Sequence, residues 1–185
     1  MMLKMNQKTL LVILAIIMLS ISFPYNLKAG DDSPKPVEGE IGAGFSIAPK
    51  AKAGMRISAE VRWNLPESRF DIGLQAENGS IFFNERMEDV RFNLIASAFA
   101  DYNFRTSGKS TPFIGVGAGY FMADSSTYVR DNPLNDSIHG LAVTPRIGIE
   151  LLHHLRLTAH YRITMNHGMS HLGISLGWAF GGGPR

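Results

Sequence analysis

Cysteine is absent from this chain of 185 residues. Without a thiol, the protein can form neither a disulfide framework nor a thiolate metal site, and a cysteine-linked lipid anchor is excluded for the same reason. An excess of charge of one sign is also lacking, since 18 Lys and Arg residues stand against 16 Asp and Glu residues. Nucleic-acid binding normally needs a clustered basic face. We therefore expect no nucleic-acid partner.

The small positive net charge belongs to the first 29 residues. Lys4 and Lys8 precede a nearly uninterrupted apolar run over residues 9–23. This pattern is typical of a cleaved signal peptide, whereas a transmembrane helix would normally need about 20 apolar residues. We predict cleavage near Ala29 after export through the Sec pathway. Removal of Lys4, Lys8 and Lys28 leaves 18 − 3 = 15 basic residues against 16 acidic ones, a net charge near −1.

The rest of the chain is predicted to form one domain. Residues 30–39, with Pro34 and Pro36, are predicted to be a periplasmic linker, residues 40–180 the domain itself, and residues 181–185 a C-terminal tail. Within the domain, apolar and polar residues alternate with period two, which indicates strands that are buried on one face. The alternating segments are 40–48, 55–63, 70–77, 90–105, 113–122, 141–151, 155–164 and 171–180.

The apolar face of every predicted strand is free of charged residues. A lipid-facing strand needs such a face, because a charge at the bilayer midplane costs roughly 2–4 kcal/mol. The opposite face mixes glycine with charged residues, which suits the narrow, side-chain-filled interior of a barrel of about eight strands. We therefore predict an all-β fold, a closed antiparallel up-and-down transmembrane β-barrel in the outer membrane of a Gram-negative bacterium.

Charged side chains on the inner face are predicted to pair across the lumen. A register with Trp63 opposite Phe70 would place Arg62 opposite Asp71 and Arg56 opposite Glu77, and a register around residues 153–154 would place Glu150 opposite Arg156. Opposite charges on neighbouring strands stabilise their pairing modestly. The predicted lumen network consists of Arg56, Glu60, Arg62, Asp71, Glu77, Arg91, Asp101, Arg146, Glu150, Arg156, His160 and Arg162.

Aromatic residues and connection lengths predict the orientation. If the chain enters from the periplasm, one interface collects a girdle of Trp63, Phe70, Tyr102, Phe104, Trp178 and Phe180. The periplasmic turns are then 64–69, 106–112 and 152–154, and the extracellular loops are 49–53, 78–89, 123–136 and 165–168. Because loops carry recognition on rigid scaffolds, the candidate contacts for a surface partner are Phe82, Phe83, Tyr128 and Arg130.

The segment 112–120 reads PFIGVGAGY. It resembles the "PYIGxGxGY" strand of the OmpA-like outer-membrane β-barrel superfamily, and residues 171–180 resemble the closing strand of that family with its terminal aromatic residue. In this chain five further residues follow Phe180. The resemblance covers residues 40–180 and implies outer-membrane lipids and the barrel-assembly machinery as partners. It implies a structural or interaction role rather than a particular activity.

Two other functions are compatible with the sequence. A lipid-modifying hydrolase of the outer membrane could use His167, Ser170 and His171, but alternation directs Ser170 and His171 to opposite faces. A soluble exported barrel could carry an apolar ligand. His153 and His154 diverge in a predicted turn and have no evident third metal ligand. The sequence thus predicts no catalytic, cofactor or metal site, and a non-enzymatic protein.

Overall fold

The computed structural model describes residues 36–48, 51–65, 67–83, 88–104, 109–129, 132–165 and 170–181, apart from the side chains of 51–52, 80–83, 88–93, 124–129 and 132–136. The predicted signal peptide, most of the predicted linker, and Arg130 and His167 lie outside these residues. Over the described part of the chain, no helix has the length and apolar character needed to cross a membrane.

Eight long strands follow one another along the described part of the chain. They are β1 (Val37–Ile47), β2 (Gly54–Asn64), β3 (Phe70–Phe83), β4 (Glu88–Asn103), β5 (Ser110–Val129), β6 (Asn132–Leu151), β7 (Leu155–Thr164) and β8 (His171–Phe180). A two-residue segment before β2, Ala51–Lys52, pairs with Phe83 and Phe82. Each long strand is antiparallel to its sequence neighbours, and β1 pairs with β8. The predicted closed up-and-down barrel of eight strands is therefore confirmed.

The two ends of the barrel differ. At one end, called the turn end here, short connections at 65–69, 104–109 and 152–154 join the strands. At the opposite end, called the hairpin end, β3–β4 and β5–β6 continue as long hairpins. β5 and β6 have 20 residues each, against 10 or 11 in β1, β2, β7 and β8. One side of the barrel thus carries a tall sheet at the hairpin end, and the other side ends in a low rim.

The burial of side chains is inverted relative to a water-soluble protein. All twelve charged residues in the described strand side chains are buried inside the barrel. Most outward side chains are apolar, and many large ones are about half exposed, including Ile57, Leu74 and Ile147. The alternation in the sequence therefore predicted correctly which side chains face the lumen and which face outward.

The predicted register between β2 and β3 is wrong by two residues. Trp63 lies opposite Ile72, so Arg62 faces Gly73 and Arg56 faces Gly79. The cause is the connection, in which Leu65 N donates to Phe70 O and Glu67 adopts a positive φ of 56°. A shift of two residues keeps every side chain on its face, because side chains alternate with period two. Glu150 lies opposite Arg156, as predicted.

Two predicted loops are largely strand. Residues 78–83 belong to β3 and residues 88–89 to β4, and residues 123–129 and 132–136 belong to β5 and β6. Above the apolar band both faces of a hairpin can meet water, so alternation no longer marks the strand, although the backbone ladder continues. The first strand also begins at Val37, three residues before the predicted domain boundary.

Candidate functional site

The charged lumen begins at the turn end, around Arg62. Its Nη2 lies 3.0 Å from Glu38 Oε2 and 3.5 Å from Glu150 Oε2, and its Nη1 lies 3.6 Å from Glu40 Oε2. Asn64 Nδ2 donates to the second oxygen of Glu38 at 3.0 Å. Three carboxylates thus surround one guanidinium group, and strands β1, β2 and β6 are joined across the interior.

Arg146 occupies the middle of the lumen. Its guanidinium group donates to both oxygens of Glu60, at 2.7 and 2.9 Å, and to both oxygens of Asp101, at 2.8 and 2.6 Å. Its Cζ also lies 3.8 Å from the centre of the Phe99 ring. Paired, charge-assisted hydrogen bonds of this kind are among the strongest in proteins. Arg146 therefore links β6 to β2 and β4 through the barrel axis.

Arg156 continues this layer from β7. Its Nη2 donates to Asp101 Oδ2, and its Nη1 lies 3.7 Å from both Glu40 Oε2 and Glu60 Oε1. Its Cζ is 3.7 Å from the centre of the Phe113 ring. Aromatic rings on the inner face thus cover the flat sides of two arginines, which stabilises a desolvated cation.

Glu77 forms a third group closer to the hairpin end. Arg162 Nη1 donates to Glu77 Oε1 at 2.7 Å, and Arg56 donates to Glu77 Oε2 while also contacting the imidazole of His160. The rings of His160 and His171 meet edge to face with centroids 6.3 Å apart. Acceptors from β3 and β7 thus hold the Arg56 side chain.

Glu77, His160 and His171 have the chemistry of a metal site, since one ligand atom from each lies within 4.8 Å of the others. However, Arg56 and Arg162 are already paired with Glu77. A bound metal ion would add a further positive charge beside these two guanidinium groups, and like charges at such distances repel strongly in a low dielectric. The residues present therefore fit a salt-bridge cluster better than a metal site.

An apolar cluster lies in the lumen at the hairpin end. Ile95, Phe121, Ala123 and Ala142 are buried there with Ala48, and Ile138 packs against them. These side chains come from the same inward positions that carry charges nearer the turn end. The lumen thus changes from charged to apolar along its axis.

Eleven of the twelve residues of the predicted network are buried inside the barrel. Arg91 lies in β4, but its side chain is outside the described set. Asp71 is buried and accepts from Asn103 Nδ2 at 2.7 Å. It lies opposite Asn64, and not opposite Arg62 as the predicted register required. Glu38 and Glu40 also join the network although the sequence interpretation did not include them. Glu38 could have been identified from the sequence, because it lies two residues before Glu40 and therefore on the same face of the strand. The prolines before it suggested a linker instead.

The six predicted girdle residues lie at the turn end. Phe70 and Tyr102 pack edge to face at 5.2 Å, and Tyr102 and Phe104 at 5.4 Å. Trp178 stacks on His154, with centroids 5.4 Å apart, and Phe180 is about half exposed. Trp63 is the penultimate residue of β2 and lies at the same end. The aromatic residues thus form a partial ring around this end.

The other predicted sites are less well defined. Phe82, Phe83 and Tyr128 lie in the long hairpins rather than in loops, and their side chains are outside the described set. The hydrolase candidates are not brought together. His171 is buried in the lumen, whereas Ser170 Oγ accepts from Thr164 N at 3.2 Å.

Comparisons with known proteins find the architecture but no sequence relative. No family model matches the chain, and no curated protein matches it. The N-terminal β-barrel domain of Pseudomonas aeruginosa OprF superimposes with a TM-score of 0.52 at 12% identity, covering 80% of this chain and 100% of that domain. Neisserial surface protein A superimposes with a TM-score of 0.50 at 13% identity, covering 80% of this chain and 99% of that protein.

Both structures are small outer-membrane barrels, and at this level of identity the likeness concerns the fold. It agrees with the eight antiparallel strands, the closed sheet and the inverted burial described above. The chain therefore has the fold of the small, OmpA-like outer-membrane β-barrels, which its sequence resembles.

Proposed function

We propose that this chain is a non-catalytic outer-membrane protein of a Gram-negative bacterium. Its barrel sits in lipid with a plugged lumen, and its hairpin end projects outside the cell. The observation that carries the proposal is the inverted burial, with twelve buried charges inside and an apolar surface outside. An apolar surface of this extent is favourable against hydrocarbon and unfavourable against water.

The lengths of the strands support the orientation. A tilted transmembrane strand needs about 9–11 residues, which matches β1, β2, β7 and β8. The short connections and aromatic residues of the turn end fit a periplasmic interface, and the long hairpins fit the outer surface. The projecting sheet then carries the surface interactions of the protein.

The contents of the lumen support a role without catalysis. The charged groups of the lumen are paired with one another, and the apolar cluster packs its hairpin end. Ser170 and His171 are separated, as described above. A carrier of an apolar ligand would need an apolar cavity, and the charged part of the lumen nearer the turn end does not provide one.

The closing strand supports one biogenesis partner. Trp178 and Phe180 end β8 and face outward. We therefore expect the barrel-assembly machinery to insert the exported chain, with outer-membrane lipids as its surroundings. Depletion of that machinery in the host should leave the protein in the periplasm and lower its amount in the outer-membrane fraction.

The proposal is tested by expressing the full chain in a Gram-negative host and running the membrane fraction on a denaturing gel, unheated and boiled. We expect an unheated band that migrates faster than the boiled band, because a closed barrel resists the detergent. Lipid A from these cells should match lipid A from cells with an empty vector. Protein recovered only in the soluble fraction, without a heat-dependent shift, would contradict the proposal.

A further inference from the structure

A small cavity lies inside the lumen beside Arg56. Arg56 belongs to the ion pairs around Glu77, and Arg146, which also lines the cavity, belongs to the ion pairs in the middle of the lumen. The centre of a water molecule can occupy about 10 Å³ of this space. The residues that line the cavity are all described and come from seven of the eight strands. The barrel wall itself therefore encloses the cavity.

Two buried, charged residues of the lining each have an atom without a hydrogen-bond partner among the described residues. Both terminal nitrogens of Arg56 contact neighbouring side chains, whereas its Nε has no acceptor. Glu40 Oε2 lies 3.6 Å from Arg62 Nη1 and 3.7 Å from Arg156 Nη1. These distances exceed the usual length of a hydrogen bond. The side chains of Arg56 and Glu40 are both more than nine-tenths buried, so neither atom is satisfied by bulk solvent.

The charge and the size of the cavity identify its occupant. Arg56 and Arg146 bring positive charge to the lining, and Glu40 and Glu60 bring negative charge. An ion of either sign would face like charges in a low dielectric, where repulsion is strong. A water molecule is neutral, both donates and accepts hydrogen bonds, and needs about this volume. Ser175, which also lines the cavity, offers a hydroxyl group as a further partner.

We propose that this cavity is the binding site of one structural water molecule. Buried waters typically make about three hydrogen bonds to polar groups that the protein would otherwise leave unpaired. The water extends the hydrogen bonding of the lumen between the ion pairs around Glu77 and those around Arg146. A buried polar network is rigid when its members are satisfied. The inference goes beyond the proposed function, and it depends on the closed barrel and not on the lipid around it.

The first test is a crystal structure of the full chain at a resolution that shows ordered water molecules. We expect one density peak in the cavity, within hydrogen-bond distance of Arg56 Nε or Glu40 Oε2. An empty cavity in a map that shows other ordered waters would overturn the inference. A peak that refines as sodium or chloride would also overturn it, because the occupant would then be an ion.

The second test observes the same site by NMR in lipid nanodiscs. A water molecule held beside the Nε–H group of Arg56 should give a cross-peak with opposite signs in NOE and ROE spectra. The absence of a cross-peak would overturn the inference. A cross-peak with the same sign in both spectra would do so too, because it reports proton exchange with solvent and the cavity would then not be enclosed.

Ser175→Val tests whether the cross-peak comes from this cavity. Valine replaces the hydroxyl group of the lining with an apolar one and fills part of the space, so the cross-peak of Arg56 should be lost. Thr111→Val is the matched control, because Thr111 is also buried in the lumen but does not line the cavity. This variant should keep the cross-peak. Loss in both variants, or retention in both, would contradict the proposed site.

The heat-dependent shift of the gel band reports the barrel separately. Its presence in both variants shows that the fold is intact, and its absence from the unmodified protein would be a failure of the proposed function instead.

Discussion

At the scale of single residues, Arg146 is the side chain on which the lumen depends most. It is buried and pairs with Glu60 and Asp101 at once. Arg146→Gln would leave two buried carboxylates without their main partner, a change that typically costs 3–5 kcal/mol. We expect a lower midpoint of unfolding in urea, measured as loss of the faster gel band.

The matched control for Arg146 is Arg69→Gln at the turn end. Arg69 is exposed, and its side chain donates to the hydroxyl of Tyr102 at 3.2 Å. Exposed interactions of charged residues contribute about 0–1 kcal/mol, so Arg69→Gln should hardly change the midpoint of unfolding in urea. Equal losses in the two variants would show that the lumen network adds little to stability.

A second residue-scale feature is the backbone of the turn between β6 and β7. His153 has a φ of 62°, in the left-handed region that is unfavourable for residues with a Cβ atom. His153→Gly should relieve this strain and raise the free energy of unfolding by up to about 1 kcal/mol. The control is Leu65→Gly in another exposed turn, where φ is not positive. A gain of the same size at Leu65 would rule out backbone strain as the cause.

At the scale of strands, glycines on the inner face allow large side chains to cross the lumen. A Cβ atom at Gly117 would collide with the ring of Phe99, which lies opposite it. Gly117→Ala should therefore destabilise the barrel by about 1–3 kcal/mol through overpacking. Combining it with Phe99→Leu should recover part of the loss in a double-mutant cycle.

Gly79→Ala on β3 is the control for this effect. The nearest atom to its added Cβ would be Met55 O at 3.3 Å, which requires only a small adjustment. Its unfolding midpoint should fall less than that of Gly117→Ala. If Phe99→Leu does not rescue Gly117→Ala, contact with the Phe99 ring is not the source of the loss.

The strands also show how far sequence reasoning reaches. The side of the sheet on which each residue lies was predictable, because side chains alternate along a strand whatever the pairing with its neighbours. Arg62 faces the lumen whether it lies opposite Asp71 or Gly73. The pairing register of neighbouring strands was not predictable, because it depends on turn geometry such as the positive φ of Glu67. Arg56 nevertheless pairs with Glu77, since a long side chain reaches diagonal neighbours. The hairpin extensions and the contacts of Glu38 depend on tertiary context that alternation does not report.

At the scale of the whole molecule, a charge on the outer face should be costly in lipid and nearly neutral in water. Leu74 faces outward from the middle of β3 and is 53% exposed. Leu74→Arg would be nearly neutral on a soluble protein but should cost roughly 2–4 kcal/mol at the bilayer midplane. We expect a reduced yield of the heat-modifiable form in membranes.

Leu152→Arg provides the comparison at the turn end. Leu152 is 62% exposed but lies in the turn between β6 and β7, beyond the apolar band. A charge near the interface costs only about 0–1 kcal/mol, so its yield should stay close to that of the unmodified protein. Equal yields for Leu74→Arg and Leu152→Arg would argue that water rather than lipid surrounds the barrel.

The seam between β1 and β8 has a consequence for assembly. Every other pairing of long strands joins neighbours along the chain, but the seam joins Gly39 to Phe180, 141 residues apart. The local hairpins can form in any order, whereas the seam requires both ends of the domain to be present. Closing so long a loop has an entropic cost before any contact offsets it. Insertion should therefore be all-or-none with respect to β8, so that a seven-strand chain persists as an open sheet with two reactive edges instead of a smaller barrel.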